Sequence, residues 1–594
     1  MIAPMTKYSF ILLSSDEGRF LERLQEVGVV DITRSVKPVD DKSTAMMSVI
    51  SQLKKTISVL HGVWGEAEET ETSDPVASVR EALEGLDSAK AGISSSTKAY
   101  EALLPWGDFS RERLGSLEKA GLRFHFHKVS RKKFDAGWAA EIPLQVISED
   151  EKSVWFVTVT QGEEYNFPVA ELPAPEVTAR TMKSRIEAFE SEARHWKATL
   201  SGLKKYLPVL EEDLAVKTAE LDRYLASQSA SDAAEGHITT FTGFVPDDNV
   251  AQAEKAFGQM DIYFLSEKAT LEDNPPIQLK NNAFVRMFEV LTDMYGRPAY
   301  NGFDPTPFIS VFFLLFFAFC MGDCGYGIIL IIIGFLLRKV ESFKSLAPLV
   351  VTLGAGTAVI GFLFHTFFSI DISQWEVLQP ISSVFLPGKI AGYDGTMVLA
   401  LIVGVVHLCL AMCVKTFQET KNKGFLYSLG TWGWTLLIVG GVAVGALALA
   451  GVMDAALTKW IIIGLGVVSA LGIFVFNDPK RNILLNIGSG LWETYNTVTG
   501  VVGDVLSYLR LYALGLAGAM LGLAFNNIGN MVLGDGSNPL LWIPFILIVL
   551  VGHTLNVAMA ALGAFVHPLR LNFLEFFKNS GYEGSGRSYN PLKK

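Results

Sequence analysis

Gly503-Asp-Val-Leu-Ser-Tyr-Leu-Arg-Leu-Tyr-Ala-Leu-Gly-Leu-Ala-Gly518 sets a single arginine, Arg510, near the middle of a long apolar helical run. A guanidinium keeps its charge at every physiological pH. Held at membrane depth it costs a few kcal/mol or more, so an intramembrane arginine marks a functional site by default. Its own helix gives no relief: three and four residues away lie Leu506, Ser507, Ala513 and Leu514, none of them acidic. Asp504, six residues back, faces elsewhere. The counter-charge is expected from another helix or another subunit, with a buried salt bridge to an acid such as Glu493 as the plain structural alternative.

The apolar run around Arg510 extends over about 497–527, roughly 46 Å at the helical rise, against a hydrocarbon core of about 30 Å. Such a helix must tilt or project past the membrane surface. Gly503, Ser507, Arg510, Leu514, Ala517 and Leu521 share one of its faces, and the small residues among them allow close packing beside the arginine. Further spans are expected at roughly 306–321, 324–338, 347–369, 396–415, 430–451, 457–476 and 539–566, eight in all, with the first two joined as a tight hairpin around Gly322-Asp-Cys-Gly-Tyr-Gly327. The last runs into His567-Pro-Leu-Arg570-Leu-Asn-Phe-Leu-Glu575, which brings a second arginine towards its end. His365, His407, His553 and Asn556 read as packing or interfacial groups. Cys320, Cys324, Cys409 and Cys413 read as small membrane residues, with neither a disulfide framework nor a metal motif.

The chain has 594 residues, too many for one domain. Residues 301–594 hold 16 Lys+Arg and 14 Asp+Glu of the chain's 50 and 61, which leaves 34 and 47 before them: a net of +2 behind a net of −13. An acidic soluble half thus precedes an apolar one, and its charge argues against a nucleic-acid partner. With no basic-then-apolar leader at the start, the first half is expected to stay cytoplasmic. Loops on that side would hold Arg338, Lys339, Lys344, Lys415, Lys421, Lys423, Lys480 and Arg481, and the tail Lys578, Arg587, Lys593 and Lys594; the other side would hold only Lys389 and Lys459. A multi-pass membrane protein follows, with both ends cytoplasmic.

In the soluble half, Met182, Ile186, Phe189, Ala193, Trp196, Leu200, Leu203, Leu207, Leu210 and Leu214 alternate in steps of four and three, a coiled-coil seam that Pro208 should kink. A second seam, Met46, Ile50, Leu53, Ile57, Leu60 and Trp64, is its expected antiparallel partner. Arg123–Val129 and Ser153–Thr160 read as strands, and His125 and His127 as a solvent-facing pair. Lys7–Leu13, Phe20–Val27 and Val29–Ile32 read β-α-β, and His237–Phe244, Asp248–Phe257 and Asp261–Phe264 repeat the pattern, which suggests small lobes at the ends of the arm.

Ser507-Tyr-Leu-Arg-Leu-Tyr-Ala-Leu-Gly-Leu-Ala517 resembles the arginine helix of the rotary V/A-type ATPase stator subunits, called subunit I in bacteria and subunit a elsewhere. Leu569-Arg-Leu-Asn-Phe-Leu-Glu575 resembles the second arginine site of that family's final helix. Tyr295-Gly-Arg-Pro-Ala-Tyr300, Asp304-Pro-Thr-Pro-Phe308 and Met321-Gly-Asp-Cys-Gly-Tyr-Gly327 resemble the entry to its membrane domain, and Gly243-Phe-Val-Pro246 the end of its soluble lobe. Two departures stand out: Gly518 occupies the place of a eukaryotic histidine, and Ala560 that of a glutamate.

The resemblance implies cytoplasmic α+β lobes joined by a long antiparallel coiled-coil arm, then an all-α polytopic membrane domain of about eight helices, the last two long and tilted. The collar would cover 1–275, with the arm at about 41–100 and 177–228. A linker would follow at 276–305, the membrane domain at 306–579 and a tail at 580–594. Implied partners are proteolipid ring subunits, peripheral-stalk subunits, central-stalk and soluble ATPase subunits, and lipid. No cofactor is implied beyond the transported proton or sodium ion. ATP chemistry would lie in other subunits, in keeping with the lack of a Gly-x-x-x-x-Gly-Lys-Ser/Thr loop. Arg510, Arg570, Glu575, Glu493, Asp504, Ser507 and His567 are the residues assigned to ion translocation. A stand-alone secondary transporter with a cytoplasmic regulatory arm is the alternative, disfavoured by the lack of an internal repeat or paired broken helices.

Overall fold

The computed structural model describes all residues except 35–36, 162–164, 234–236, 261, 341–342, 374–388, 391, 477–481, 535–536 and 594. Lys480, Arg481 and Lys594 of the charge bias, and Asp261 of the second β-α-β pattern, lie outside the described residues. The chain is mostly helical and divides into two units, Met1–Ser35 with Leu225–Lys594, and Val36–Tyr224.

In the first unit the two β-α-β patterns, expected as separate lobes, interleave into one. Its sheet runs in the order Asp31–Ile32, Ile238–Pro246, Met5–Leu13, Tyr263–Lys268, with each neighbouring pair antiparallel. Period-two alternation along Met5–Leu13 buries Tyr8, Phe10 and Leu12, and Met5 is buried out of that phase. The helices Glu17–Val27 and Val250–Phe257 cover that core with Phe20, Leu24, Ala253 and Phe257. The expected tail is instead a strap. Ile277 N–H donates to the Arg587 carbonyl (2.6 Å), the Tyr589 hydroxyl to Val29 O (2.6 Å) and Leu592 N–H to Val30 O (2.9 Å), while the Leu592 side chain is fully buried in the lobe.

The second unit pairs helices. Pro75–Leu103 lies antiparallel along Ala179–Gly202, with Gly85 against Trp196 and Gly92 against Phe189. The partner of the Met182–Leu200 seam is therefore mainly Pro75–Leu103. Asp41–Gly62 adds Leu53, Ile57 and Leu60 to a core with Leu200, Leu203 and Leu210, whereas Trp64 is left 64% exposed. Before Pro208 the helix tightens into a 3-10 turn, Leu203–Tyr206, and resumes at Leu207.

The strands Leu122–Ser130 and Ser153–Gln161 pair as read, in a four-stranded sheet. His125 and His127 are not solvent-facing: they are 8% and 0% exposed. The segment ending in the short strand Glu171–Leu172 folds over them. His125 Nδ1 meets Glu171 Oε1 at 2.9 Å and its Nε2 meets Thr160 Oγ1 at 3.0 Å. His127 contacts Ala170 O at 3.1 Å and the Tyr165 hydroxyl at 2.6 Å.

Among the described residues of the apolar half five helices are long and apolar enough to cross a membrane: Gly395–Lys423, Phe425–Leu449, Ala455–Val475, Leu484–Leu533 and Pro539–Ser580. Thr306–Met321, Cys324–Leu337 and Ala347–Leu363 are apolar but shorter, at 16, 14 and 17 residues. The chain turns where expected, at Gly322 (φ +54°, a left-handed conformation that favours glycine), and Asp323 caps the next helix by accepting Tyr326 N–H at 3.2 Å. The first two helices do not, however, close as a tight hairpin: Cys324–Leu337 packs along Ala347–Leu363 instead, with Gly327 against Ala358 and Gly334 against Val351. The arginine run proves longer than its apolar stretch, 50 residues or about 75 Å. The polar stretch around Glu493 continues the helix instead of ending it.

Candidate functional site

Arg510 lies just past a local tightening of this long helix. Tyr508 N–H donates to Val505 O and Leu511 N–H to Tyr508 O, both at 3.1 Å, three-residue bonds that join Ile483–Ser507 to Leu509–Leu533. One face of the helix is packed within the chain. Tyr508 and Leu511 are fully buried, and Gly515 presses against the Phe319 carbonyl. The face holding the small residues is open: Gly503 and Ala517 are exposed, and nothing lies within 4 Å of where a Cβ on Gly503 or Gly518 would sit.

Arg510 itself is half-buried. Its Nη1 is shielded from solvent and has no hydrogen-bond partner, and among the described residues no carboxylate is within ion-pair distance of it. Glu493 cannot supply one, because seventeen residues along the same helix set it about 25 Å away. The ionisable groups within its electrostatic reach include Cys320 and His567.

The final helix closes the rest of the site. Pro568 lies inside Trp542–Arg570, where it removes one backbone donor, and the helix widens into a π-turn over Leu571–Phe576. His567 lies in the field of both Arg510 and Arg570, with its Nδ1 buried and without a hydrogen bond. Arg570 is exposed. Glu575 is 4% exposed, its Oε2 without a hydrogen bond, and its carboxyl lies beside the Ser507 hydroxyl. Ser507 also donates to Gly503 O at 3.1 Å. Asp504 is held by Lys578 at 3.2 Å and Asn579 at 2.8 Å, a tie between the two long helices.

The structure thus gathers Arg510, His567, Arg570, Glu575, Ser507 and Asp504 and leaves Glu493 apart. Glu493 lines a cavity of about 270 Å³ with Lys415, Asn496, Lys578 and Asn579. A second cavity, about 190 Å³, is lined by His365, Thr366, Asp394, Tyr512 and Leu516. Along the helix the first ends at Val501 and the second begins at Tyr512, so the two flank Arg510.

Residues read as packing groups do pack. His553 bonds the Tyr326 hydroxyl (2.7 Å) and Asn526 (2.9 Å), and Asn556 donates to Tyr326 and to Gly518 O, both at 2.8 Å. An unanticipated contact joins His407 to Tyr508, 2.9 Å apart and both fully buried. Its only sequence signal was a histidine in an apolar span. The four cysteines are free.

Residues 178–347 and 491–594 match the V-type ATPase 116kDa subunit family. The A-type ATP synthase subunit I of Methanocaldococcus jannaschii is 28% identical over 97% of this chain and 89% of its own. The V-type ATP synthase subunit I of Borreliella burgdorferi is 24% identical over the whole of both. That of Chlamydia muridarum is 26% identical over 99% and 98%. A crystal structure titled as the cytoplasmic N-terminal domain of a V-ATPase subunit I covers 44% of this chain at 18% identity, but its TM-score of 0.21 carries no argument. With five long apolar helices among the described residues, this is a multi-pass membrane protein, similar over those two stretches to the V-type ATPase 116kDa subunit family and along nearly its whole length to subunit I of A-type and V-type ATP synthases.

Proposed function

We propose that the chain is the stator subunit of a rotary V/A-type ATPase, that it forms the ion path against a proteolipid ring, and that its soluble half anchors peripheral stalks. The observation that carries this reading is the arrangement of Arg510: a permanent charge, with no carboxylate within ion-pair distance among the described residues, on a helix whose small residues Gly503 and Ala517 are exposed. A ring carboxylate, neutral while it faces lipid, ionises when it reaches this charge, because a nearby positive group favours the anion. The ion is released there, and the same charge bars a direct path across. Each charge that crosses is worth roughly 2.3 kcal/mol per 100 mV.

The cavities beside Val501 and Tyr512 are read as the two offset half-channels, with Glu493 in one. Arg570, His567, Ser507 and Glu575 tune the site between them, and Asp504 braces the two long helices. Whether a proton or a sodium ion is carried is set by the ring. The strap bears on topology: Leu592 sits in the lobe built from the chain's first strand, so an even number of crossings separates them. That supports eight spans, with Thr306–Met321, Cys324–Leu337 and Ala347–Leu363 as the short ones, and both ends cytoplasmic. The pair Pro75–Leu103 and Ala179–Gly202 is read as the coiled-coil arm of the collar, and ATP chemistry as the work of other subunits.

Extraction in mild detergent tests this. The chain should leave the membrane with a small proteolipid and soluble ATPase subunits, and a cysteine replacing Ala517 should cross-link to that proteolipid. Isolation as a lone carrier would overturn the reading.

A further inference from the structure

His407 is fully buried in the helix Gly395–Lys423, yet the site as described gives it no task. Its ring is fixed on several sides. It stacks on Phe576 (centroids 4.7 Å apart, planes at 9°), lies 4.2 Å from Phe312 and meets Phe316 edge-on at 5.1 Å. Its Nδ1 is 2.9 Å from the Tyr508 hydroxyl, and its Nε2 is buried without a hydrogen bond.

Tyr508 is equally enclosed. It packs edge-on against Phe316, and its ring fills the space above Gly404, where a Cβ would come within 2.3 Å. Two residues on, at about 100° per residue, the helix has turned by about 200°. With Tyr508 pointed into the bundle, Arg510 leaves the helix on the other side, half-buried and within reach of Cys320 and His567. Phe576, on the other side of the imidazole, is the neighbour of Glu575 in the π-turn. One side chain therefore touches both helices of the site, each within two residues of a charged group.

We propose that His407 is a positioning residue. Through the Tyr508 hydroxyl it sets the height and rotation of Arg510, and through Phe576 it registers that helix against the turn bearing Glu575. Burial of a polar pair here has a reason other than stability. Hydrogen bonds between membrane helices stabilise little, and apolar rings of the same size would pack as well. A directional bond between two enclosed rings fixes one rotation of the helix, and packing alone does not. The tightening at Tyr508 is the point where the two segments of the helix would otherwise turn past one another.

This rests on the proposed role of Arg510, so the test carries a control for that role. The intact ATPase complex is reconstituted into vesicles with wild-type, Tyr508→Phe, His407→Phe, His407→Gln or Arg510→Ala chain. ATP hydrolysis and ATP-driven ion uptake are measured on each, with and without sodium. Tyr508→Phe removes one oxygen. It should assemble, hydrolyse ATP, and move about tenfold fewer ions per ATP, since misplacing a reacting group by about 1 Å costs up to 10²-fold. His407→Phe should do the same, and His407→Gln, which keeps a hydrogen-bonding group, should recover part of the coupling. Uncoupled Arg510→Ala with fully coupled Tyr508→Phe would overturn the positioning role alone. Coupled Arg510→Ala would overturn the reading beneath it. Failure of Tyr508→Phe to assemble would also overturn the inference, because the contact would then serve folding only.

Discussion

Replacing Leu592 with alanine should release the strap that joins the final helix to the lobe at the chain's start. Leu592 is fully buried beside Val30, Phe241 and Val245. Truncating a buried leucine to alanine costs about 2–5 kcal/mol, depending on how far the site collapses. The other strap contacts to the lobe include the hydrogen bonds from Tyr589 to Val29, Asn590 N–H to Asp31 (2.8 Å), Arg34 to Asn590 O (3.1 Å) and Leu592 N–H to Val30, each worth about 1 kcal/mol net, and an Arg587–Asp31 ion pair at 3.6 Å. The lost packing is therefore comparable to all of them together. Strap opening should rise by about 30-fold to a few thousand-fold, at 1.4 kcal/mol per factor of ten. Hydrogen exchange on the full-length protein in lipid discs reads this at the amides of Tyr589 and Leu592. Their protection should collapse, while the helix Pro539–Ser580 keeps its own. Leu562→Ala, a change at a 68% exposed residue, should leave the strap amides unchanged. Equal protection of Leu592 in wild-type and Leu592→Ala would refute the plug.

The buried His127 should make the second unit's sheet lobe acid-sensitive. Desolvation lowers its pKa below the usual 6.5, outweighing the Ala170 carbonyl and nearby Glu171, which raise it, and His125 lowers it further. The opened lobe then binds a proton that the closed one refuses, so stability is full above about pH 6.5 and falls as pH drops towards the folded value. Exchange at Glu171 and Leu172 should quicken between pH 7.5 and 5.5 in the intact protein, and an unchanged rate would count against it. Gly404→Ala should force the Tyr508 ring aside at a cost of about 1–3 kcal/mol, seen as a lower thermal midpoint of the extracted complex. A midpoint equal to wild type would mean that the ring moves freely.

Much of the site could be read from the sequence because cost is local. A guanidinium in an apolar run is expensive wherever the helix goes, and the absence of acids three or four residues away depends on helical period alone. The seam from Met182 to Leu214 was legible for the same reason. What could not be read was pairing over distance. Glu493 looked like a partner for Arg510 until its polar surroundings proved to continue the same helix. Trp64 fitted a seven-residue rhythm, yet Pro75–Leu103, whose Gly85 and Gly92 admit Trp196 and Phe189, took most of the seam. His125 and His127 alternate like exposed residues. The return of residues 165–172 over that face supplies partners for three of their four ring nitrogens, and Thr160 on the neighbouring strand supplies the fourth. Nothing in the tail's composition announced that Leu592 completes a core begun at Tyr8.

ATP-driven ion uptake by reconstituted complexes carrying Arg510→Ala bears most directly on the role of the unpaired charge. Uptake should vanish while the complex assembles and hydrolyses ATP, because no fixed cation then discharges the arriving carboxylate. Uptake at the wild-type rate in the assembled Arg510→Ala complex would contradict it.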